Sequence, residues 1–412
     1  MSSLLINIIN CVFLLYVIIH YLSKRIDASI IWFAIISIYF INFPLLFDSF
    51  ISLYYGIFKA NRILNENGNN WDIGYWGVLK KISVHSLVFN ICFCVTFRIF
   101  SNRKMTSYRF PDLSQKNIFF SWKTYLFLSY ISFFLFLYHN GITSIAQLGT
   151  GLWYQNSSNN RFLNLLVNIL IPISSVSALV MLSKKQYLIG IITLIPVLLV
   201  GYITGARSQI ISSVFYVLYF FLIKYSAHVN LKTILKIIVL GLLAVYAMSF
   251  FRSDNFNNYP VCKDVSYEDL FYSYVNSHSF TTNGTNTLRL ILTGFYDYQA
   301  EDVTSVLAGY KYFEGWGTLH PTLLGWAYID LQNLFWLLAI YLGAFISLCD
   351  RLRHKLPSKY NILFLSFIFS FYAIGIRGSV QFAYSIIIYP AIIFFILFVL
   401  LNIKNHANLI KS

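Results

Sequence analysis

Long apolar runs alternate with short polar connectors along this chain, and the runs set its architecture. They cover about residues 4–22, 28–48, 78–100, 119–138, 162–182, 187–204, 208–225, 233–251, 322–348, 361–376 and 380–402. A hydrocarbon layer about 30 Å thick takes about 20 helical residues, so each run predicts a membrane-crossing helix. The short alternating segments of a membrane β-barrel do not occur. The expected fold is an all-α polytopic integral membrane protein of about 11 transmembrane helices, forming a single membrane domain over 1–412. The first run has no basic leader and no small-residue cleavage site, so it reads as a retained span rather than a signal peptide. The patch at 50–55 is too short to cross and reads as interfacial.

One long polar stretch, 252–321, interrupts the pattern between the eighth and ninth runs. It holds Asp254, Asp264, Glu268, Asp269, Asp297, Glu301, Asp302 and Glu314, eight of the 15 acidic residues, together with Arg252, Arg289, His278 and His320. The hydrophobic chain therefore reads as a scaffold for one large polar loop. That loop ends on Gly317-Thr-Leu-His-Pro-Thr-Leu-Leu-Gly325, which brings His320 to the mouth of the next run.

Composition agrees with the pattern. The chain is 58% hydrophobic and 11% charged, where a soluble chain carries about 25% charged residues. A net charge of +15 would point to nucleic acid in a soluble protein. Here the basic residues sort into alternate connectors. Lys24, Arg25, Arg103, Lys104, Arg109, Lys116, Lys184, Lys185, Lys232, Arg351, Arg353, Lys355, Lys359, Lys404 and Lys411, with Arg98, Lys123, Lys224 and Lys236 at span edges, place 19 of 30 on one side. The positive-inside rule makes that side cytoplasmic, with the N-terminus outside and the C-terminus inside. The outer connectors are then 49–77, 139–161, 205–207, 252–321 and 376–379. No basic run accompanies a soluble module, so no nucleic-acid partner is expected; the lipid bilayer is.

The five cysteines (Cys11, Cys92, Cys94, Cys262 and Cys349) have neither the spacing nor the setting of a metal site or a disulfide framework. No Walker, Rossmann, HExxH or GxSxG pattern occurs in a usable context, so no cofactor or metal is expected and nucleotide-driven chemistry is disfavoured. Asn156-Ser-Ser and Asn283-Gly-Thr match a glycosylation sequon, a pattern too common to carry weight.

Charge near the membrane is where chemistry is sought. Arg207, in Gly205-Ala-Arg-Ser, and Arg377, in Gly375-Ile-Arg-Gly, each sit in a glycine-flanked hairpin on the outer side. An Arg near bilayer depth costs about 2.5–3.5 kcal/mol on insertion scales and normally faces a cavity or a partner. The glycines allow close backbone approach, and a guanidinium fork suits phosphate. The competing role is an Arg snorkelling to headgroups. Arg252 and Arg289 join these as candidate diphosphate-binding residues, with ordinary solvated roles open to both. His320, just before Pro321, can serve as a general base or orient a hydroxyl, or it can simply cap the helix that follows. His278 and Asp297 are candidate catalytic groups on similar terms. Tyr259, Phe271, Tyr296, Tyr312 and Trp316 give the loop rings on which a sugar can stack, or which form an interfacial belt.

The stretch His320-Pro-Thr-Leu-Leu-Gly-Trp-Ala-Tyr-Ile-Asp330, followed by Leu331 to Gly343, resembles the turn and helix after the large loop of Wzy-type O-antigen polymerases. Gly205-Ala-Arg-Ser and Ile376-Arg-Gly-Ser resemble that family's outer arginine motifs, and the topology resembles it throughout. Where the family has a glycine shortly after the Asp, this chain has Gln332-Asn333. The resemblance implies a metal-independent glycosyltransferase of GT-C-like fold in the bacterial inner membrane, with 252–321 as its large periplasmic loop. Its donor and acceptor would both be polyprenyl-diphosphate-linked oligosaccharides, and a chain-length regulator protein would be a partner. Outer arginines would hold the donor diphosphate, and His320 or a loop carboxylate would activate the acceptor hydroxyl. Two other readings remain: an O-antigen ligase, which differs only in acceptor, and a lipid-linked oligosaccharide flippase. A transporter would place ionisable residues deep in several spans, whereas here they crowd the outer face.

Overall fold

Asparagine and serine line the inside of the helix packing, and large apolar side chains cover much of the outside. The computed structural model describes residues 2–24, 26, 28–46, 49–50, 53, 74–101, 122–139, 178, 181, 186–204, 236, 239, 281, 283–291, 322–355, 368, 372 and 376. Their helices are α1 (Ser2–Ser23), α2 (Ile30–Ser37, continuing as a π-helical turn Ile38–Asn42), α3 (Gly74–Phe100), α4 (Trp122–His139), α5 (Tyr187–Thr204), α6 (Thr285–Ile291), α7 (Leu323–Leu331) and α8 (Phe335–Lys355). No β-strand occurs among the described residues. The expected spans at 162–182, 208–225, 233–251, 361–376 and 380–402 lie outside them, single positions apart.

Chain contacts divide the protein into two compact units. The first comprises Met1–Arg109, Tyr225–Leu352 and Ile376–Val380; the second comprises Phe110–Lys224, Arg353–Gly375 and Gln381–Ser412.

In the first unit α1 turns Asn7, Asn10, Leu14 and Ile18 inward at helical spacing, all with no exposed surface. Leu5, Val12 and Tyr16 face outward, each about 60% exposed. On α3, Ser83, Ser86 and Asn90 are buried while Val95 and Ile99 are exposed. A helix that hides asparagine and shows leucine is inverted relative to water, and it suits a hydrocarbon solvent, in which polar side chains hold helices together. The buried groups form two hydrogen-bonded clusters. Asn7 Nδ2 donates to Leu45 O, Ser49 Oγ and Ser83 Oγ at 3.1, 2.9 and 2.9 Å. Asn42 Oδ1 accepts from Asn10 Nδ2 and from Ser86 Oγ, and Asn90 Nδ2 donates to Asn10 Oδ1 at 3.0 Å. Asn42 Nδ2 also donates to the Ser37 carbonyl at 2.8 Å, across the π-helical turn. Deeper along α3 the packing is aromatic, with Phe33 stacked on Phe93 at 3.6 Å between centroids. At Gly343 of α8 an added Cβ would lie 2.7 Å from the Phe93 carbonyl oxygen, so that crossing requires glycine. Buried Asp350, near the end of α8, accepts the Ser29 N–H at 3.2 Å where α2 begins.

In the second unit α4 packs on α5. Pro196 lies inside α5 and lacks the N–H that would bond the carbonyl four residues back. That carbonyl belongs to Ile192, and Tyr130 Oη of α4 donates to it at 2.9 Å.

Among the described residues, three helical stretches are long and apolar enough to cross a membrane: Ser3–Ser23, Leu79–Phe100 and Leu323–Leu352. The chain thus fits a helical membrane protein. The run at 322–348, expected to be one helix, is broken. Asp330 ends the buried part of α7, Gln332 adopts φ 47°, ψ −121°, and a single 3-10 turn, Gln332–Leu334, leads into α8. The left-handed φ falls on Gln332, a residue with a Cβ. Such a conformation costs a non-glycine residue about 1–3 kcal/mol. Gln332→Gly is therefore expected to raise the unfolding temperature, by about 1 kcal/mol of stability, because glycine takes this conformation without Cβ strain at a small entropic cost. A lowered melting temperature in detergent would contradict it.

Candidate functional site

Every residue of α7 from Leu323 to Asp330 is buried. Its sequence, Leu-Leu-Gly-Trp-Ala-Tyr-Ile-Asp, is apolar on all faces up to the final carboxylate, so neighbours can surround it completely. Thr322 precedes it in an extended conformation, as a helix-initiating residue does. Three separate parts of the first unit meet on this short helix.

The first is a piece of the large loop. A helix leaves its first N–H groups and its last carbonyls without partners inside the helix. Here the two ends satisfy each other. Asp330 Oδ1 accepts the Asn286 N–H at 3.1 Å, Asp330 Oδ2 accepts the Thr287 N–H at 2.6 Å, and the Asp330 backbone carbonyl accepts the Gly284 N–H at 2.7 Å. A sharp turn at Asn283 and Gly284, with φ of 49° and 78°, aims these amides at Asp330. A Cβ on Gly284 would meet Leu331 at an ordinary 3.4 Å, so conformation rather than space calls for glycine there. Asp330 is thus a helix cap supplied from 43 residues away in sequence.

The second is the backbone next to Arg377. The Leu323 N–H, at the start of α7, donates to the Ile376 carbonyl at 2.8 Å, and Ile376 is fully buried. This bond ties the start of α7, three positions after His320 in the sequence, to Ile376, the residue before Arg377.

The third is one end of α3. Lys81 Nζ hydrogen-bonds Tyr328 Oη and lies 4.7 Å from the centre of that ring. His85, one turn along α3, packs 5.2 Å from the Tyr328 ring and stacks on Phe335 at 4.3 Å. Ionisable groups inside an apolar helix are expensive and commonly mark a functional region. Sequence reasoning passed over Lys81 and His85. The available signal was their i, i+4 spacing on a mostly apolar run.

Of the residues proposed from sequence, Arg289 lies on α6, two positions after Thr287, and so belongs to the segment that Asp330 holds. Its side chain, and His320, Asp297, His278, Arg207, Arg377 and Arg252 entirely, lie outside the described residues. Among the described residues there is no group of three His, Cys, Asp or Glu side chains able to hold a metal ion. No family model, curated protein or solved structure matches this chain.

Proposed function

We propose that this protein is a Wzy-type polymerase of bacterial surface polysaccharide in the inner membrane. It transfers a growing glycan from polyprenyl diphosphate to the non-reducing end of a polyprenyl-diphosphate-linked repeat unit at the periplasmic face. The observation that carries the reading is the Asp330 clamp. The stretch that resembles the family's turn and helix is the one that holds the large polar loop, through Asn286 and Thr287. In this reading Arg289, Arg377 and Arg207 neutralise the donor diphosphate and stabilise it as a leaving group, and His320 takes the proton of the acceptor hydroxyl. The Leu323–Ile376 bond supports the reading by tying the chain just after His320 to the residue just before Arg377.

The test is a gene deletion complemented with wild type, Arg207→Ala, Arg377→Ala or His320→Ala. Deletion is expected to leave single repeat units on the lipid acceptor and no long chains. Each Arg variant, at normal protein level, should lower polymer yield about 10- to 100-fold, the worth of one charge-assisted contact. Loss of even the single-unit band would reject polymerisation in favour of ligation or flipping. The leaflet in which the lipid-linked glycan accumulates then separates those two.

A further inference from the structure

The turn that aims α6 at Asp330 is built on Asn283 and Gly284, a pair whose own chemistry can break it. Asn283 is exposed, and its backbone N–H donates to Thr281 Oγ1 at 3.1 Å. An asparagine amide is attacked most readily by the next backbone nitrogen when that residue is glycine, because no side chain shields the approach. The nitrogen must first give up its proton. In the docked clamp that proton is engaged, since the Gly284 N–H donates to the Asp330 carbonyl at 2.7 Å. The carboxylate of the same residue, bound to the Asn286 and Thr287 amides, disfavours a negative nitrogen nearby. The Gly284–Asp330 bond must break, and α6 must lift, before the attack can start.

We propose that Asn283–Gly284 is a spontaneous deamidation site gated by the Asp330 clamp, and that its isoaspartyl product holds the loop open. With α6 lifted, the Gly284 nitrogen loses its proton to solvent and bonds to Asn283 Cγ. The Cγ–Nδ2 bond breaks, ammonia leaves, and a cyclic imide remains. Water then opens the imide. Cleavage of the new N–Cγ bond gives an aspartyl chain. Cleavage at the original backbone carbonyl leaves the chain running through Cβ and Cγ, longer by a methylene. Overall a water is consumed and an ammonia released, with no change of oxidation state. The lengthened turn no longer delivers the Gly284, Asn286 and Thr287 amides together to Asp330. Time that the loop spends lifted is thus written irreversibly into its backbone. This stands apart from the polymerase reading, which concerns what the protein acts on.

Purified full-length protein in detergent is aged at mildly alkaline pH in heavy-oxygen water until label is measurable, then digested and read by peptide mass spectrometry. Asn67-Gly68 and Asn140-Gly141 are the same dipeptide and serve as internal references for labelling. The denatured chain gives the unprotected rate of each pair. Asn283 is expected to deamidate at least about tenfold more slowly in folded wild type than in the denatured chain, because a reaction that needs local opening scales with the open population. Asp330→Ala should bring that rate to within about threefold of the denatured one. If Asp330→Ala does not fold, Asp330→Asn, of the same size, decides by the same comparison and should fall between. A folded wild-type rate equal to the denatured rate, or one that the Asp330 variant leaves unchanged, would overturn the gate. Limited proteolysis of the aged protein tests the product. Isoaspartate at position 283 should be enriched in molecules cut within 252–321, and equal amounts in cut and uncut molecules would overturn the hold-open role.

Discussion

Asp330→Ala is expected to detach α6 from α7 and, on the proposed polymerase function, to abolish polymer formation. The carboxylate holds the Asn286 and Thr287 N–H groups, in a site with no exposed surface. Hydrogen bonds to a charged group contribute about 1.5–3 kcal/mol each, so the two together are worth about 3–6 kcal/mol to the docked loop. Removing the carboxylate also leaves two buried amides without partners, and the loop must lift to hydrate them. Asp330→Asn should be intermediate, because its amide keeps one acceptor oxygen and turns a donor toward a donor. Limited proteolysis at residues 252–321 reads the detachment directly, and the polysaccharide ladder reads its consequence. An unchanged cleavage pattern in Asp330→Ala would show that other contacts hold the loop. The membrane helices should survive the change, since α1, α2 and α3 bond to one another through a separate set of residues.

Asn42→Ala is expected to have the second-largest effect, on stability rather than on activity alone. Asn42 joins three segments. Its Oδ1 accepts from Asn10 of α1 and Ser86 of α3, and its Nδ2 donates to Ser37 O and Ser37 Oγ at 2.8 and 3.0 Å. Interhelical hydrogen bonds in membranes average about 0.6 kcal/mol and reach about 1.7 kcal/mol. Alanine loses several of them and strands the Asn10 and Ser86 donors, so a loss of about 3 kcal/mol follows. Truncating Asn10 and Asn42 together should cost less than the sum of the single changes, because the second truncation removes a group already left without its partner. Thermal or denaturant unfolding in detergent measures all three variants. Strict additivity would show that the two asparagines do not share a bond.

Helix positions were legible in the sequence because they depend on local properties. The runs at 4–22 and 187–204 return as α1 (Ser2–Ser23) and α5 (Tyr187–Thr204), since a backbone in hydrocarbon must satisfy its own hydrogen bonds and helix does so within one segment. The break at Gln332 was not legible in the sequence, because nothing in the residue type announces a left-handed φ. The polar stripes Asn7–Asn10 and Ser83–Ser86–Asn90 were present at helical spacing, yet hydropathy averages them away inside an apolar run. Tyr130 illustrates the same limit from the other side. Pro196 announces a free carbonyl at Ile192, but nothing local names the side chain that fills it.

For the candidate site, the sequence by itself singled out the polar stretch 252–321, His320 and the glycine-flanked Arg377, and it offered Asp330 only as the end of the stretch that carries the family resemblance. Charge in an apolar chain is costly wherever it sits, and that cost shows in composition and spacing without coordinates. Only the tertiary structure decided which of these segments meet. Asp330 binds amides 43 and 44 residues away, Leu323 binds a carbonyl beyond α8, and Tyr328 meets Lys81 across 247 residues. Such pairings depend on how buried helix ends find partners for their unbonded N–H and C=O groups. That is a property of packing, and no window of sequence contains it.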